Sequence, residues 1–379
     1  MRTNKFVFQL FALLMVLIMV LGACAPKPTE PPATEPPSTD PMAELYAAAK
    51  AEGMLTTIAL PHDWCNYGGV IDAFKAKYPG IEINELNPDA GSGDEIEAIK
   101  ANMDNKGPQA PDVVDVGFSF GEPNKDLFMP YKVATWDTIP DIMKSADGYW
   151  YGDYYGVMAF LVNTDVQPDV PQDWADLLDP KYKGQVALSG DPRTSNQAIQ
   201  AVEAAALANG GSLDDAQKGL DFFAELNSSG NLIPLVANNG LVAKGEIPVR
   251  ITWDYNGLAA IDSFAGNPKA ELVIPATGKF AGVYVQAISK YAPHPNAAKL
   301  WMEFLYSDEG QMIWLAPPGY CHPVRQDDLA ARGVIPQDLL AKLPSLEGAV
   351  FPTADQLIAA KELITKNWDA VVGADIHKP

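Results

Sequence analysis

Short apolar runs alternate with helical stripes over the first third of the folded region. Residues 54–60 form an apolar run that reads as a buried strand. In the next segment Val70, Ile71, Phe74 and Tyr78 share one helical face, and Pro79-Gly80 ends it. A strand over 81–86, a helix around 94–103 and a strand over 112–118 follow. Strand, helix, strand, helix, strand predicts an α/β fold with a parallel sheet and crossover helices. After Tyr149 the pattern changes. An aromatic-rich stretch, 151–156, precedes a strand at 157–162, a short helix at 174–178 and a strand at 185–189. Thr194 and Gln197 have capping-box spacing and predict a helix that Gly210-Gly211 closes. Beyond it the pattern predicts a helix over 213–226, a strand over 248–253 and a helix over 255–264. Strands over 271–275 and 284–289 come next, then a helix from Pro295 with Ala298, Trp301, Met302 and Leu305 inward. The remainder reads as mostly helical, and no internal repeat is visible.

The N-terminus has another character. Arg2 and Lys5 precede a run, 6–20, that is apolar except for Gln9. A basic start and an apolar run shorter than a membrane span describe a secretory signal. Leu21-Gly22-Ala23-Cys24 closes it and resembles the lipobox of bacterial lipoproteins. That resemblance implies cleavage after residue 23, lipidation of Cys24 and a chain exported to the outer face of the cell membrane or the periplasm. The other reading is a secreted protein cut near Ala23. Residues 24–42 read as a tether, with prolines at 26, 28, 31, 32, 36, 37 and 41 favouring extended conformations. The remaining length predicts two lobes. With 27 basic and 48 acidic side chains the precursor carries a formal charge of −21, which argues against a nucleic-acid partner. A lipidated Cys24 leaves Cys65 and Cys321; export permits a bridge between them, and two separate buried thiols are the alternative. His62, His294, His322 and His377 lack metal-ligand spacing, and no metal or cofactor is expected.

Three segments in order resemble the solute-binding proteins of bacterial ABC importers. Residues 74–83, Phe-Lys-Ala-Lys-Tyr-Pro-Gly-Ile-Glu-Ile, resemble that family's first helix and second strand. Tyr155-Gly156 through Asn163-Thr164 resembles the crossing between lobes. His294-Pro295-Asn296-Ala297-Ala298-Lys299-Leu300-Trp301 through Gly310-Gln311 resembles the helix pair after the return crossing. Within that class the chain is most similar to the branch that includes spermidine/putrescine, ferric-iron and phosphonate binders. The resemblance implies a type II, two-lobed fold, each lobe a mostly parallel sheet flanked by helices. It implies a first lobe of 43–156 plus 278–379, a second of 157–277, a monomer, an ABC permease as partner and no catalysis.

Ligands of open α/β sheets sit beyond the carboxyl ends of the strands. The loops there carry the candidate site residues. Trp253 and Tyr255 could flank an organic cation such as a polyamine while Asp254 pairs with it, or they could form an aromatic core with Asp254 as a helix cap. Trp64, Asn66 and Tyr67 offer similar aromatic and polar groups. Asp191 suits an amine, whereas Thr194 and Ser195 at a helix start suit a phosphonate, a carboxylate or a ferric anion complex. Tyr284 and Tyr320 lie near the return crossing. Ser119 sits in Gly117-Phe118-Ser119-Phe120-Gly121, which matches the nucleophile elbow of serine hydrolases. A lipid-anchored hydrolase is therefore the second functional class, although the following Glu122-Pro123-Asn124 does not promise the helix an elbow requires.

Overall fold

A computed structural model describes residues 40–379. The signal segment, Cys24 and almost all of the tether lie outside the described residues. Helix α1 (Pro41–Glu52) leads into β1 (Met54–Ile58), α2 (Tyr67–Lys77), β2 (Glu82–Leu86), α3 (Ser92–Ala101) and β3 (Val113–Gly117). A single helical turn, Phe118–Gly121, continues as a 3-10 turn, Glu122–Leu127, into the short strand β4 (Phe128–Met129). The long strand β5 (Tyr151–Asn163) is followed by β6 (Val186–Leu188), α4 (Asn196–Ala208), α5 (Gln217–Ser228), β7 (Val249–Trp253) and α6 (Asp254–Phe264). Strands β8 (Ala270–Val273) and β9 (Ala281–Ser289) precede α7 (Pro295–Leu305) and α8 (Asp308–Leu315). The two-residue strand β10 (His322–Pro323) and helix α9 (Ala354–Val371) complete the set used below.

The predicted apolar stripes become the packing faces. Tyr67, Val70, Ile71 and Phe74 are the buried side chains of α2. Phe74 meets Trp301 and Phe304 of α7 edge-on, with ring centroids 5.2 and 5.7 Å apart. Each such pair adds about 0.5–1.5 kcal/mol beyond its buried area.

Strand β5 organises the rest. Its first half, residues 151–157, pairs with β9, and Tyr155 also faces β10. Its second half pairs with β7 on one edge and β8 on the other. One strand thus serves two ladders. The aromatic stretch 151–156, expected to precede the strand, belongs to it, because β9 and β10 supply partners that no local pattern reveals. The mostly parallel sheets are corrected as well. Parallel pairing occurs at β1–β2 and β6–β7, whereas every pairing of β5 or β9 is antiparallel. Crossing strands that run out and back must oppose each other in direction.

Three stretches meet where β5 passes between its ladders. Met158 N donates to Phe280 O at 3.0 Å, and Ala281 N donates to Val350 O at 3.0 Å. Beyond Val350 the chain does not stay with β3 and β9 alone. Helix α9 packs on α4 and α5, with the Trp368 ring 5.8 Å from Phe223, and on the Phe118–Gly121 turn after β3. Val236 N donates to His377 O, and Arg193 binds Asp369 and Asp375. Lys361 of α9 stands 3.1 Å from the ring centre of Phe120.

Below the aromatic stretch lies a buried acid network. Tyr67 and Tyr154 donate their hydroxyls to Asp115 Oδ2 at 2.8 and 2.6 Å. Gln286 of β9 donates to Asp153 Oδ2 at 3.0 Å, and Asp115 N donates to Glu95 Oε2 at 2.9 Å. Burial pushes the Asp115 carboxyl up to about 7 against those hydrogen bonds, and it pushes Asp153 and Glu95 well up too. Cys65, just before α2, is bonded to Cys321, just before β10, with Cα atoms 5.5 Å apart.

Two outcomes are expected. A folded-state carboxyl pKa above its unfolded value stabilises most below about pH 4 and loses that contribution as pH rises through the folded value near 7. The Tm difference between wild type and Asp115→Asn therefore moves against wild type from pH 5 to pH 8; a pH-independent difference contradicts this. Replacing Cys65 and Cys321 by serine costs about 2–5 kcal/mol in a denaturant melt, and an unchanged midpoint would mean the bridge contributes nothing.

Candidate functional site

Five aromatic side chains from four regions converge beside the crossing. Trp64 comes from the loop after β1, Tyr154 from β5, Tyr284 from β9, and Trp253 and Tyr255 from the β7–α6 junction. The Trp64 ring lies edge-on to Tyr255 at 5.6 Å and to Tyr284 at 5.5 Å. Tyr154 stacks on Tyr284 at 5.4 Å, and Trp253 stacks with Tyr255 at 6.2 Å. Trp64 Nε1 donates to Tyr154 Oη at 2.7 Å, which ties this box to the acid network beneath it.

Inside this region polar atoms are buried without partners. They include Ser119 Oγ, both side-chain atoms of Asn196 and of Gln200, Trp253 Nε1, Asp254 Oδ2, Tyr255 Oη and Asn256 Nδ2. Protein interiors pair nearly all such atoms, and each orphan costs about 1–3 kcal/mol. Two glycines bring the walls together. A Cβ on Gly117, at the end of β3, would overlap the Asn196 amide, and one on Gly282 would overlap both the Trp253 ring and Gln200 Oε1. Burial raises the Tyr284 phenol pKa, and Asn196 and Trp253 beside it act the other way without closing a hydrogen bond in good geometry. Asn196 and Tyr284 are therefore close neighbours across the crossing.

The expected site residues divide into two groups. Trp64, Trp253, Tyr255 and Tyr284 are together, and Ser119 follows the end of β3, where Gly117 pairs with Tyr284. Of the other seven, five have structural partners, and Thr194 and Ser195 make no side-chain hydrogen bond. Asp254 is fully buried; its Oδ1 accepts from Val157 N at 2.9 Å, and its Oδ2 faces His322 Nε2 at 3.4 Å. Tyr67 belongs to the acid network. Asn66 has a left-handed backbone and reaches Ile313 O of α8 at 3.4 Å. Asp191 is held by Arg193, whose Nε lies 2.9 and 3.0 Å from its two oxygens. Thr194 is exposed and is not the helix cap. Ser195 takes the N-cap position without a side-chain cap bond, and Gln197 turns instead to Thr252 Oγ1 at 3.2 Å. Tyr320, with φ of 59°, donates its hydroxyl to Asp262 of α6.

Sequence reasoning missed Asn196, Gln200 and Arg250. Asn196 and Gln200 are four residues apart in an alanine-rich helix, a polar stripe that periodicity exposes. Arg250 is a buried guanidinium held by neutral oxygens, Ser189 Oγ at 2.8 Å and Asn239 Oδ1 at 2.6 Å. Burial lowers its pKa to about 10, with Asp63 acting against the fall.

The elbow at Ser119 does enter a helical turn, contrary to expectation, but among the described residues no histidine is hydrogen-bonded to it. Ser119 Oγ has no hydrogen-bond partner. His294 is engaged with Asp112 at 2.8 Å, and His322 with Gln326 at 3.0 Å. Among the described residues no group of three His, Cys, Asp or Glu side chains is placed to hold a metal ion. No helix among them is long and apolar enough to cross a membrane.

This arrangement has relatives. Iron uptake protein A1 of Synechocystis is 25% identical over 258 residues, covering 65% of this chain and 69% of that protein. A candidate 2-aminoethylphosphonate-binding periplasmic protein of Salmonella typhimurium is 27% identical over 348 residues, covering 87% of this chain and 95% of its own. The structure of the periplasmic binding protein AfuA from Actinobacillus pleuropneumoniae, with fructose-6-phosphate bound, superimposes with a TM-score of 0.64 at 21% identity, covering 84% of this chain and 98% of that one. The profile of the bacterial extracellular solute-binding proteins matches residues 109–337. With two ladders joined at a crossing and orphaned polar groups beside it, the chain belongs to the bacterial extracellular solute-binding proteins, the type II solute-binding components of ABC importers.

Proposed function

We propose that this protein captures a small polar solute between two lobes and hands it unchanged to an ABC permease. The first lobe comprises 43–156 with 278–379 and the second 157–277, with α9 packing across both on α4, α5 and the Phe118–Gly121 turn. In this reading the chain works as a monomer, exported and tethered through a lipid on Cys24. The observation that carries it is the set of orphaned polar atoms enclosed by Trp64, Trp253, Tyr255 and Tyr284. Lobe closure over a solute lets its polar groups replace these missing partners, while the aromatic faces replace its water.

The favoured solute class is an organic cation. An aromatic box attracts ammonium groups by about 0.5–2 kcal/mol per ring. No lysine or arginine stands among the convergent orphaned groups, so a strongly anionic solute has less to recommend it. The relatives' names span iron, a phosphonate and a sugar phosphate, so ancestry alone does not choose. A ferric complex would want accessible phenolates, but Tyr154 is engaged with Asp115 and burial raises the Tyr255 and Tyr284 phenols. Hydrolysis at Ser119 has no base to support it.

A thermal-shift screen of amines, amino acids, phosphonates and metals should find a stabilising solute. Trp253→Ala should weaken its binding at least 30-fold, about 2 kcal/mol, with the far-ultraviolet spectrum unchanged. Asp254→Asn should perturb closure rather than contact, changing affinity less. Equal affinity in wild type and Trp253→Ala would remove the box from the site. Labelling of Ser119 by a fluorophosphonate would revive the enzyme.

A further inference from the structure

In the two-lobe reading, helix α6 belongs to the second lobe but is gripped by the first. Ala260 and Phe264 of α6 share a buried cluster with Leu161 of β5 and Ala187 of β6. Gly257 lies so close to β8 that a Cβ there would overlap Leu272. Three further contacts to α6 come from two short stretches of the first lobe, 64–66 and 320–322. Trp64 meets the Tyr255 ring edge-on at 5.6 Å. His322 Nε2 lies 3.4 Å from Asp254 Oδ2, and Tyr320 donates its hydroxyl to Asp262. Asp254 and Asp262 are eight residues apart, so the grip runs about 12 Å along the helix.

Each gripping residue is the immediate neighbour of a bridged cysteine. Trp64 precedes Cys65, Tyr320 precedes Cys321 and His322 follows it, and the two cysteines are bonded. Both stretches are also anchored on α8. Asn66 Nδ2 reaches Ile313 O at 3.4 Å, and Cys321 N donates to Trp314 O at 3.0 Å. Cys65, Asn66 and Tyr320 have left-handed backbones, with φ of 46°, 57° and 59°. A residue with a Cβ takes that conformation at a cost and keeps it where its surroundings impose it. The start of α6 is also where unpartnered groups gather, Trp253 Nε1, Asp254 Oδ2, Tyr255 Oη and Asn256 Nδ2. Whatever fixes α6 against the first lobe therefore fixes that face too.

We infer that the two bridged loops form a clasp: Cys65–Cys321 positions Trp64, Tyr320 and His322 on α6 and so sets how readily the lobes close. Opening the lobes breaks contacts that the clasp makes, so an intact clasp favours the closed form. A smaller closed fraction weakens the apparent affinity for a solute in proportion. The bridge thus acts on capture as well as on the stability of the first lobe. The inference rests on the two-lobe reading and on no choice of solute.

Hydrogen exchange and small-angle scattering on the solute-free full chain test it. The variants are Tyr320→Phe, the double Cys65→Ser/Cys321→Ser, their combination, and the wedge Gly117→Val, whose side chain would press on Asn196 across the lobes. Tyr320→Phe and the double serine variant should each speed exchange over residues 254–264 by about tenfold or more, leaving β3 and β9 unchanged. Each should also raise the radius of gyration. On the double serine background Tyr320→Phe should add less than about twofold, because the two act through one device. If the double serine variant fails to fold, Tyr320→Phe and Asp262→Asn on wild type still decide. Unchanged exchange over 254–264, or full additivity of the two changes, overturns the clasp. A wedge that swells the molecule while the clasp variants do not overturns the clasp and leaves the hinge standing. If neither the wedge nor the clasp variants swell it, the two-lobe reading and this inference fall together.

Discussion

A single strand shared by two ladders is the constraint from which the rest follows. β5 has thirteen residues, all but one of them buried, and it is paired along its length by different partners in its two halves. A strand covered on both faces must be almost wholly apolar or aromatic. The chain meets this with Tyr151, Tyr154 and Tyr155 in the first half and with Val157 to Val162 in the second. β9 and the segment around Val350 cross beside it, so three covalent connections run through one narrow waist.

That waist explains why aromatic rings accumulate there. Small polar side chains could not fill the space between two sheets and still leave room for a guest. Rings can, because Trp and Tyr bury large areas yet keep one polar atom for hydrogen bonding. Trp64 and Tyr154 have used that atom, on each other and on Asp115. Trp253 and Tyr255 have not. The division between satisfied and unsatisfied polar tips separates the rings tied to the acid network from those that are not.

The same division bears on energy. The acid network under the box keeps carboxyls in the interior at a cost, but its hydroxyl and amide partners bridge α2, β3, β5 and β9. It therefore holds the crossing in one arrangement at the expense of stability above neutral pH. The orphaned row of α4 has no such partners, and a solute that supplies them adds its binding energy to closure. Rigidity at the floor and unsatisfied groups on the wall are two uses of buried polarity, both within a few residues of Tyr154.

Local pattern alone determined the α/β class and most of the strands and helices, since these signals lie in apolar periodicity, and it nominated Trp64, Ser119, Trp253, Tyr255 and Tyr284 from loops at strand ends. It placed Asp254, Asn66, Tyr67, Asp191, Thr194, Ser195 and Tyr320 with them for the same reason. Their actual partners, Val157, Ile313, Asp115, Arg193 and Asp262 among them, lie mostly far along the chain or turn on backbone geometry that residue type does not encode. The stripe Asn196, Gln200 and Glu203 was written in the sequence as plainly as any apolar face. Only the tertiary structure decided that it points inward, because burial of a helix face depends on what packs against it. The antiparallel crossings and the packing of α9 on α4, α5 and the Phe118–Gly121 turn were likewise beyond local reading, being set by contacts between segments far apart along the chain.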